Sequence, residues 1–242
     1  MYAVLSRAWG RQHWWPAQSR FEVIVGAYLT QNTSWSNVEI AMRQLRAARV
    51  LSVAGIREIS IRKLERVIRP SGCFRQKAGR LKTFVRFLDQ NYGGSLKRMF
   101  AQPTAKLREQ LLSLIGVGPE TADSILLYAG QHAVFVVDAY TRRIAARHGI
   151  LPEKASYEDF RMLFERALTG ATQPTVTDTK PTLPGVAAHQ PSRMSLAVHS
   201  PLAQRFNEMH GLIVGAGKNY CLKSKPRCET CPLQPLLPRS QP

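Results

Sequence analysis

The sequence predicts an all-α protein. Two observations carry that reading: apolar residues recur at helical spacing in segment after segment, and period-2 alternation of the kind strands need is nearly absent. A hydrophobic content of 44% over 242 residues adds that the chain folds around a real core, as one large domain or two small ones.

Taken in order, Phe21 to Leu29 (FEVIVGAYL) is an apolar run long enough for a buried helix, although its Val and Ile also permit a strand. Trp35 to Val50 continues with apolar Val38, Ile40, Met42 and Leu45. Ile61 to Ile68 and Lys77 to Leu88 are basic amphipathic segments. Lys106 to Leu112 and Glu120 to Tyr128 flank a glycine-rich turn, and Asp138 to Arg147 and Tyr157 to Leu168 supply two more helices. Residues Thr169 to Pro201 break the pattern. Rich in Pro, Thr, Ser and Ala, this stretch cannot bury enough surface to offset its ordering entropy and is expected to be a mobile insertion or linker. A second globular unit is expected to begin near Leu202 and to include the last three cysteines.

Lys and Arg number 34 against 16 acidic residues, a net charge of +18. Such an excess points to a polyanionic partner, nucleic acid before an anionic membrane surface. No run of about 18 apolar residues is present, so no membrane-spanning helix is expected. The N-terminus, MYAVLSRAWGRQHWWP, lacks the basic start and apolar centre of a signal peptide, so a cytoplasmic protein is expected. Disulfides are uncommon there, and the four cysteines read first as metal ligands or core residues.

The most informative stretch runs from Leu114 to Asp138, LIGVGPETADSILLYAGQHAVFVVD. Gly116 and Gly118 can adopt φ > 0 and leave backbone N–H groups bare. Pro119 suits the first position of a helix. Exposed amides at a helix start suit a backbone phosphate, with Val117 and Thr121 in the same turn. Asp138 follows twenty residues later, between an apolar stretch and a helix, where it can cap the helix or act as a carboxylate on a sugar. Loop, spacing and aspartate together resemble the helix-hairpin-helix and catalytic aspartate of endonuclease III-type DNA glycosylases.

That resemblance assigns further residues. It makes Asp138 the group that cleaves the N-glycosidic bond. In bifunctional members a lysine follows the hairpin where this chain has Glu120. A carboxylate cannot act as an amine nucleophile, so a monofunctional enzyme is implied; Glu120 would face the damaged base beside Trp14, Trp15 and Asp138, or equally would only complement the charge at the helix start. Trp14-Trp15-Pro16 followed by FEVIVGAYLTQNTSWSNV resembles the 3-methyladenine glycosylases of the group; Trp14 and Trp15 would stack on an extruded cationic purine, or one of them would cover the core. Gln31 matches the glutamine that similar glycosylases push into the gap left by a flipped nucleotide. Lys77, Lys106, Arg142 and Arg143 could meet phosphates and together give salt-sensitive DNA affinity, each by itself being more readily a solvated surface charge.

Cys221, Cys228 and Cys231 stand at C-x6-C-x2-C, and the spacing resembles the start of the iron–sulfur loop of endonuclease III. The resemblance puts the fourth ligand at Leu237, and no cysteine follows Cys231. A [4Fe–4S] cluster normally takes four thiolates. Three could hold one with a non-cysteine fourth ligand, the loop could have lost its metal, or zinc could replace the cluster. Cys73 reads as a buried core thiol. The six histidines show no ligand spacing, and His210 is expected to pack near the cysteine loop.

The architecture implied by the resemblance is two helical domains with DNA in the cleft between them. One spans 21–133 with the hairpin. The second combines 1–20, 134–168 and 202–231 with the cysteine loop; 169–201 is the flexible insertion and 232–242 a tail. The implied function is a monomeric, monofunctional DNA N-glycosylase of base excision repair. It would flip out and hydrolyse alkylated purines such as 3-methyladenine in damaged double-stranded DNA and leave an abasic site. Two alternatives stand beside it: a bifunctional glycosylase/AP lyase for oxidised pyrimidines, and a non-catalytic helix-hairpin-helix DNA-binding protein.

Overall fold

In the computed structural model, which describes residues 1–170, 191–197 and 199–238, every regular element is helical. The chain divides into two compact units, Ala17–His132 and a second made of Met1–Pro16 with Ala133–Pro242. Among the described residues no helix is long and apolar enough to cross a membrane.

The second unit opens the chain with α1 (Tyr2–Trp9). The Ala17–His132 unit then holds α2 (Arg20–Leu29), α3 (Trp35–Ala47), α4 (Val53–Glu58), α5 (Ile61–Val67), α6 (Phe74–Tyr92), α7 (Leu96–Phe100), α8 (Thr104–Leu112) and α9 (Pro119–Ser124), which continues as a π turn over Ile125–Ala129. α2 is buried on every side from Phe21 to Leu29, which explains why its sequence is apolar without an amphipathic period. Its one acid, Glu22, is retained because Arg46 reaches it at 3.1 Å and the Gln18 backbone N–H donates to it at 2.8 Å.

Serine starts most of these helices. Ser19, Ser52, Ser60 and Ser95 each accept a bond from the backbone N–H three residues on, satisfying a donor the helix cannot. Lys77 is the unexpected core residue. Expected as a surface charge that could meet a phosphate, it is 2% exposed, with Nζ donating to the Leu29 and Ser71 carbonyls at 2.9 and 2.6 Å. Burial lowers its pKa, and the two carbonyls at the ends of neighbouring segments hold it in place. Cys73, expected in the core, is exposed and sits at φ +43° before α6.

The chain returns to the second unit at Ala133, with α10 (Ala139–Arg147), α11 (Tyr157–Thr169) and α12 (Pro201–Asn219). α12 is the centre: α1, α10 and α11 pack around it, and thirteen of its nineteen residues are buried. Phe135 stacks on Phe164 at 4.8 Å and meets Phe206 of α12 edge-on at 5.9 Å, which fixes the extended segment leading to Asp138. Most of the expected insertion, 171–190 and 198, lies outside the described residues, as does 239–242 of the tail. Residues 191–197 form a turn in which Ser192 and Ser195 are buried and Ser192 Oγ donates to the Trp15 carbonyl at 3.3 Å.

Candidate active site and DNA-binding hairpin

In the second unit, Asp138 is the N-cap of α10. Its Oδ1 accepts from the Thr141 backbone N–H at 2.7 Å and from Thr141 Oγ1 at 2.9 Å. The cap locks the carboxylate's direction, because Thr141 is fully buried and cannot turn away. Oδ2 faces His210 Nε2 of α12 at 3.6 Å, an electrostatic contact beyond hydrogen-bond length. Asp138 is thereby half-engaged, with its side chain 14% exposed.

His210 does not pack by the cysteine loop as expected; it is 5% exposed beside Asp138. Trp14 meets its ring edge-on at 6.0 Å and Phe135 does so at 6.4 Å. Gly211 lets the Trp14 loop come this close, since a Cβ there would lie 3.1 Å from Cβ of both Gln12 and Trp14. Glu208, one turn earlier, accepts from the Gln12 backbone N–H at 2.7 Å and fastens the same loop. Burial raises its pKa. Trp14 is thus half-buried beside His210, whereas Trp15, at φ +74°, is 8% exposed and turned into the core. No local signal marks His210 as part of this group, because its partners are 72 and 196 positions away in sequence, at Asp138 and Trp14.

Burial pushes the His210 pKa below 6.5, and the Asp138 charge opposes that shift. The folded state therefore binds a proton less readily than the unfolded chain. Stability from this group is present above the unfolded value of 6.5 and declines as pH falls below it. A His210→Gln protein should show a shallower loss of stability between neutral and mildly acid pH; denaturant midpoints across that range measure it. Glu208 titrates in both proteins and cancels in the difference.

In the Ala17–His132 unit, the hairpin joins α8 to α9 through Gly116 at φ +80°. Two demands make glycine necessary: the left-handed backbone, and a Cβ that would fall 2.0 Å from Arg80 Nε. Gly118 is the N-cap of α9 and Pro119 its first residue, with Glu120 exposed in the first turn. Val117 and Thr121 are 6% and 7% exposed and anchor the turn. Gln31 Nε2 donates to the Gly116 carbonyl at 3.0 Å and to Thr121 Oγ1 at 2.8 Å, while Arg80 donates to Gln31 Oε1 at 2.7 Å. Gln31 thus braces the hairpin. Ile115, not singled out from the sequence, is 83% exposed at its tip. Of the four basic residues that could meet phosphates, Lys106 is exposed. Arg142 donates to the Ala155 carbonyl at 2.7 Å and Arg143 to that of Cys221 at 2.6 Å, so both serve the second unit's own structure.

The cysteine loop begins where α12 ends. Cys221, Cys228 and Cys231 line one cavity together with Leu237. Arg147 lies 3.2 Å from Cys221 Sγ. Burial raises the Cys231 pKa, and the two neighbouring thiols add to it. Three thiols around one void suit an iron–sulfur cluster and fall one ligand short of it. Bound there, a cluster would tie the end of α12 to the loop and add its binding free energy to folding.

Residues 25–169 match the family described as HhH-GPD superfamily base excision DNA repair protein. MJ1434 of Methanocaldococcus jannaschii, assigned to the DNA repair glycosylases, is 39% identical over 97% of this chain and 92% of its own. Endonuclease III-like protein 1 of Mus musculus is 27% identical over 93% of this chain and 62% of its own. Among solved structures, the 3-methyladenine DNA glycosylase MagIII of H. pylori, bound to 1,N6-ethenoadenine, superposes with a TM-score of 0.67 at 28% identity, over 88% of this chain and 91% of that one. A non-covalent endonuclease III–DNA complex gives a TM-score of 0.68 at 18% identity, over 98% and 90%, which is a likeness of fold.

Proposed function

The chain belongs to the HhH-GPD superfamily of base excision DNA repair proteins, and from that premise we propose that it is a monofunctional DNA N-glycosylase that releases alkylated purines such as 3-methyladenine. The DNA glycosylase class rests on the family; lesion and mode rest on the residues. The observation that carries the hydrolytic chemistry is Asp138, held at one oxygen by Thr141 and facing His210 with the other, its side chain 14% exposed. Such a carboxylate can stabilise a sugar cation and accept a proton from water. The C1′–N bond breaks with its electron pair going to the base, which neutralises an alkylated, cationic purine. Water oxygen then bonds to C1′ and its proton passes to Asp138 and on to solvent. Glu120, where bifunctional relatives carry lysine, offers no amine for a Schiff base. Trp14 supports the choice of an electron-poor purine, which an indole face attracts. The 1,N6-ethenoadenine held by the H. pylori relative, a neutral modified adenine, supports a purine lesion and not its charge.

The test is base release from duplexes carrying 3-methyladenine, 1,N6-ethenoadenine or thymine glycol, read with and without alkali and with borohydride trapping. Purine release that nicks the strand only after alkali is expected. A trapped covalent adduct would replace this reading with the lyase one, and no release alongside tight binding would leave a DNA-binding module.

The hairpin should contribute salt-sensitive affinity for phosphates. Gly116→Ala forces a left-handed backbone that costs an alanine roughly 1–2 kcal/mol and displaces Arg80. Duplex binding about tenfold weaker is expected by fluorescence anisotropy, with unchanged affinity counting against the hairpin.

A further inference from the structure

The cysteine loop is one ligand short, and a histidine stands at the gap. His148 follows α10 directly and lines the same cavity as Cys221, Cys228, Cys231 and Leu237. Its Nδ1 lies 3.0 Å from the carbonyl oxygen of Leu236, the residue before the position that lacks its cysteine. A carbonyl can only accept, so Nδ1 carries the proton and Nε2 keeps its lone pair. Metal-bound histidines have this arrangement, with the second nitrogen donating to a backbone carbonyl that fixes tautomer and ring direction.

The kind of metal follows from the spread of the donors. Zinc holds thiolates at about 2.3 Å and draws them to one point. Among the described residues no group of three His, Cys, Asp or Glu forms a site for a metal ion. Yet three thiols and an imidazole surround one cavity. A cluster bridges donors distributed around a void, and a single ion does not.

We propose that His148, through Nε2, is the fourth ligand of a [4Fe–4S] cluster held by Cys221, Cys228 and Cys231, in place of the cysteine missing at position 237. Two contacts shape the pocket: Arg147 donates to Cys221 Sγ at 3.2 Å, and Arg143 donates to the Cys221 carbonyl at 2.6 Å. Both arise from α10, so the helix that begins at Asp138 ends at the cluster ligand. Substituting imidazole for thiolate makes the cluster less negative and raises its reduction potential, as histidine ligation does in other iron–sulfur centres.

The experiment reads metal and spectrum rather than base release, so it stands or fails separately from the glycosylase reading. The full chain is reconstituted anaerobically with ferrous iron and sulfide, freed of excess, and assayed for iron, sulfide and zinc. Reduced samples go to pulsed EPR. The expected result is four irons and four sulfides per chain and a nitrogen hyperfine coupling from a bound imidazole. His148→Cys should keep the cluster, lose the coupling and lower the potential. His148→Ala should lose most of the cluster, and adding Leu237→Cys should restore it without the coupling. Iron uptake by wild type with no nitrogen coupling, uptake unchanged in His148→Ala, zinc in place of iron, or no metal at all would each overturn the assignment.

Discussion

An Asp138→Asn protein will fold, bind duplex DNA with wild-type affinity and release base about 10²–10⁴-fold more slowly in single turnover, the range a positioned general base supplies. The substitution isolates chemistry from structure because asparagine is itself a favoured N-cap. Its amide oxygen can still accept from the Thr141 backbone N–H and hydroxyl, which donate to Oδ1 at 2.7 and 2.9 Å in the native chain. What disappears is the negative charge that a sugar cation or a nucleophilic water requires. Asp138→Ala removes cap and charge together, so it should match the rate loss and add about 0.5–2 kcal/mol of destabilisation. Full activity in the asparagine variant would remove Asp138 from the chemistry. Equal loss of activity and of thermal stability would reduce it to a cap.

The hairpin and the aspartate were legible because their signals are local. Gly116, Pro119 and Asp138 each declare a backbone conformation within a few residues, and the structure has a positive φ, a first helical residue and an N-cap at those places. The apolar periods similarly marked α3, α5, α6 and α8 to α11, and an unbroken apolar run marked α2. The short helices α4 and α7, of six and five residues, are too brief to show a period, though Ser52 and Ser95 cap them. α12 escaped for the opposite reason. It is buried almost all round and carries Gly211, Gly215 and Gly217, so it shows neither an amphipathic stripe nor strong helix propensity. Ser200-Pro201, a cap followed by proline at the first position, was the available sign of its start. Without that helix His210 could be named but not placed beside Asp138, because it reaches the aspartate only through contacts made across the unit. The same limit explains the two tryptophans. Adjacent in sequence, they part because Trp15 takes a positive φ, and no residue pattern announces that turn. Lys77 and Cys73 exchange their expected places for a related reason: composition sends lysine to the surface and cysteine inward, while two carbonyls that accept from Nζ override that average for Lys77.

Replacing Arg108 by alanine should cost about 3–5 kcal/mol, more than other substitutions around the hairpin, because it strips a buried carboxylate of its guanidinium. Asp123 of α9 is fully buried, and Arg108 of α8 grips it through two parallel bonds of 2.7 and 3.1 Å. This pair spans the loop that carries Gly116 and Gly118, so it sets the angle at which α9 leaves the turn. A surface ion pair would be worth a kilocalorie or less; here the penalty is that of leaving a charge in low dielectric. The distinction is measurable in a double-mutant cycle. Arg108→Ala alone should lower the denaturant midpoint sharply, Asp123→Leu alone should do so by less, and Arg108→Met with Asp123→Leu should recover most of the loss, since an apolar pair of similar volume often replaces a buried ion pair without cost. Binding separates stability from purpose. If the pair exists to shape the phosphate turn, the recovered double variant will be stable yet bind duplex DNA more weakly at every salt concentration. If its affinity equals wild type, the ion pair contributes stability alone, and Gln31 and Arg80 suffice to hold the hairpin in its binding geometry.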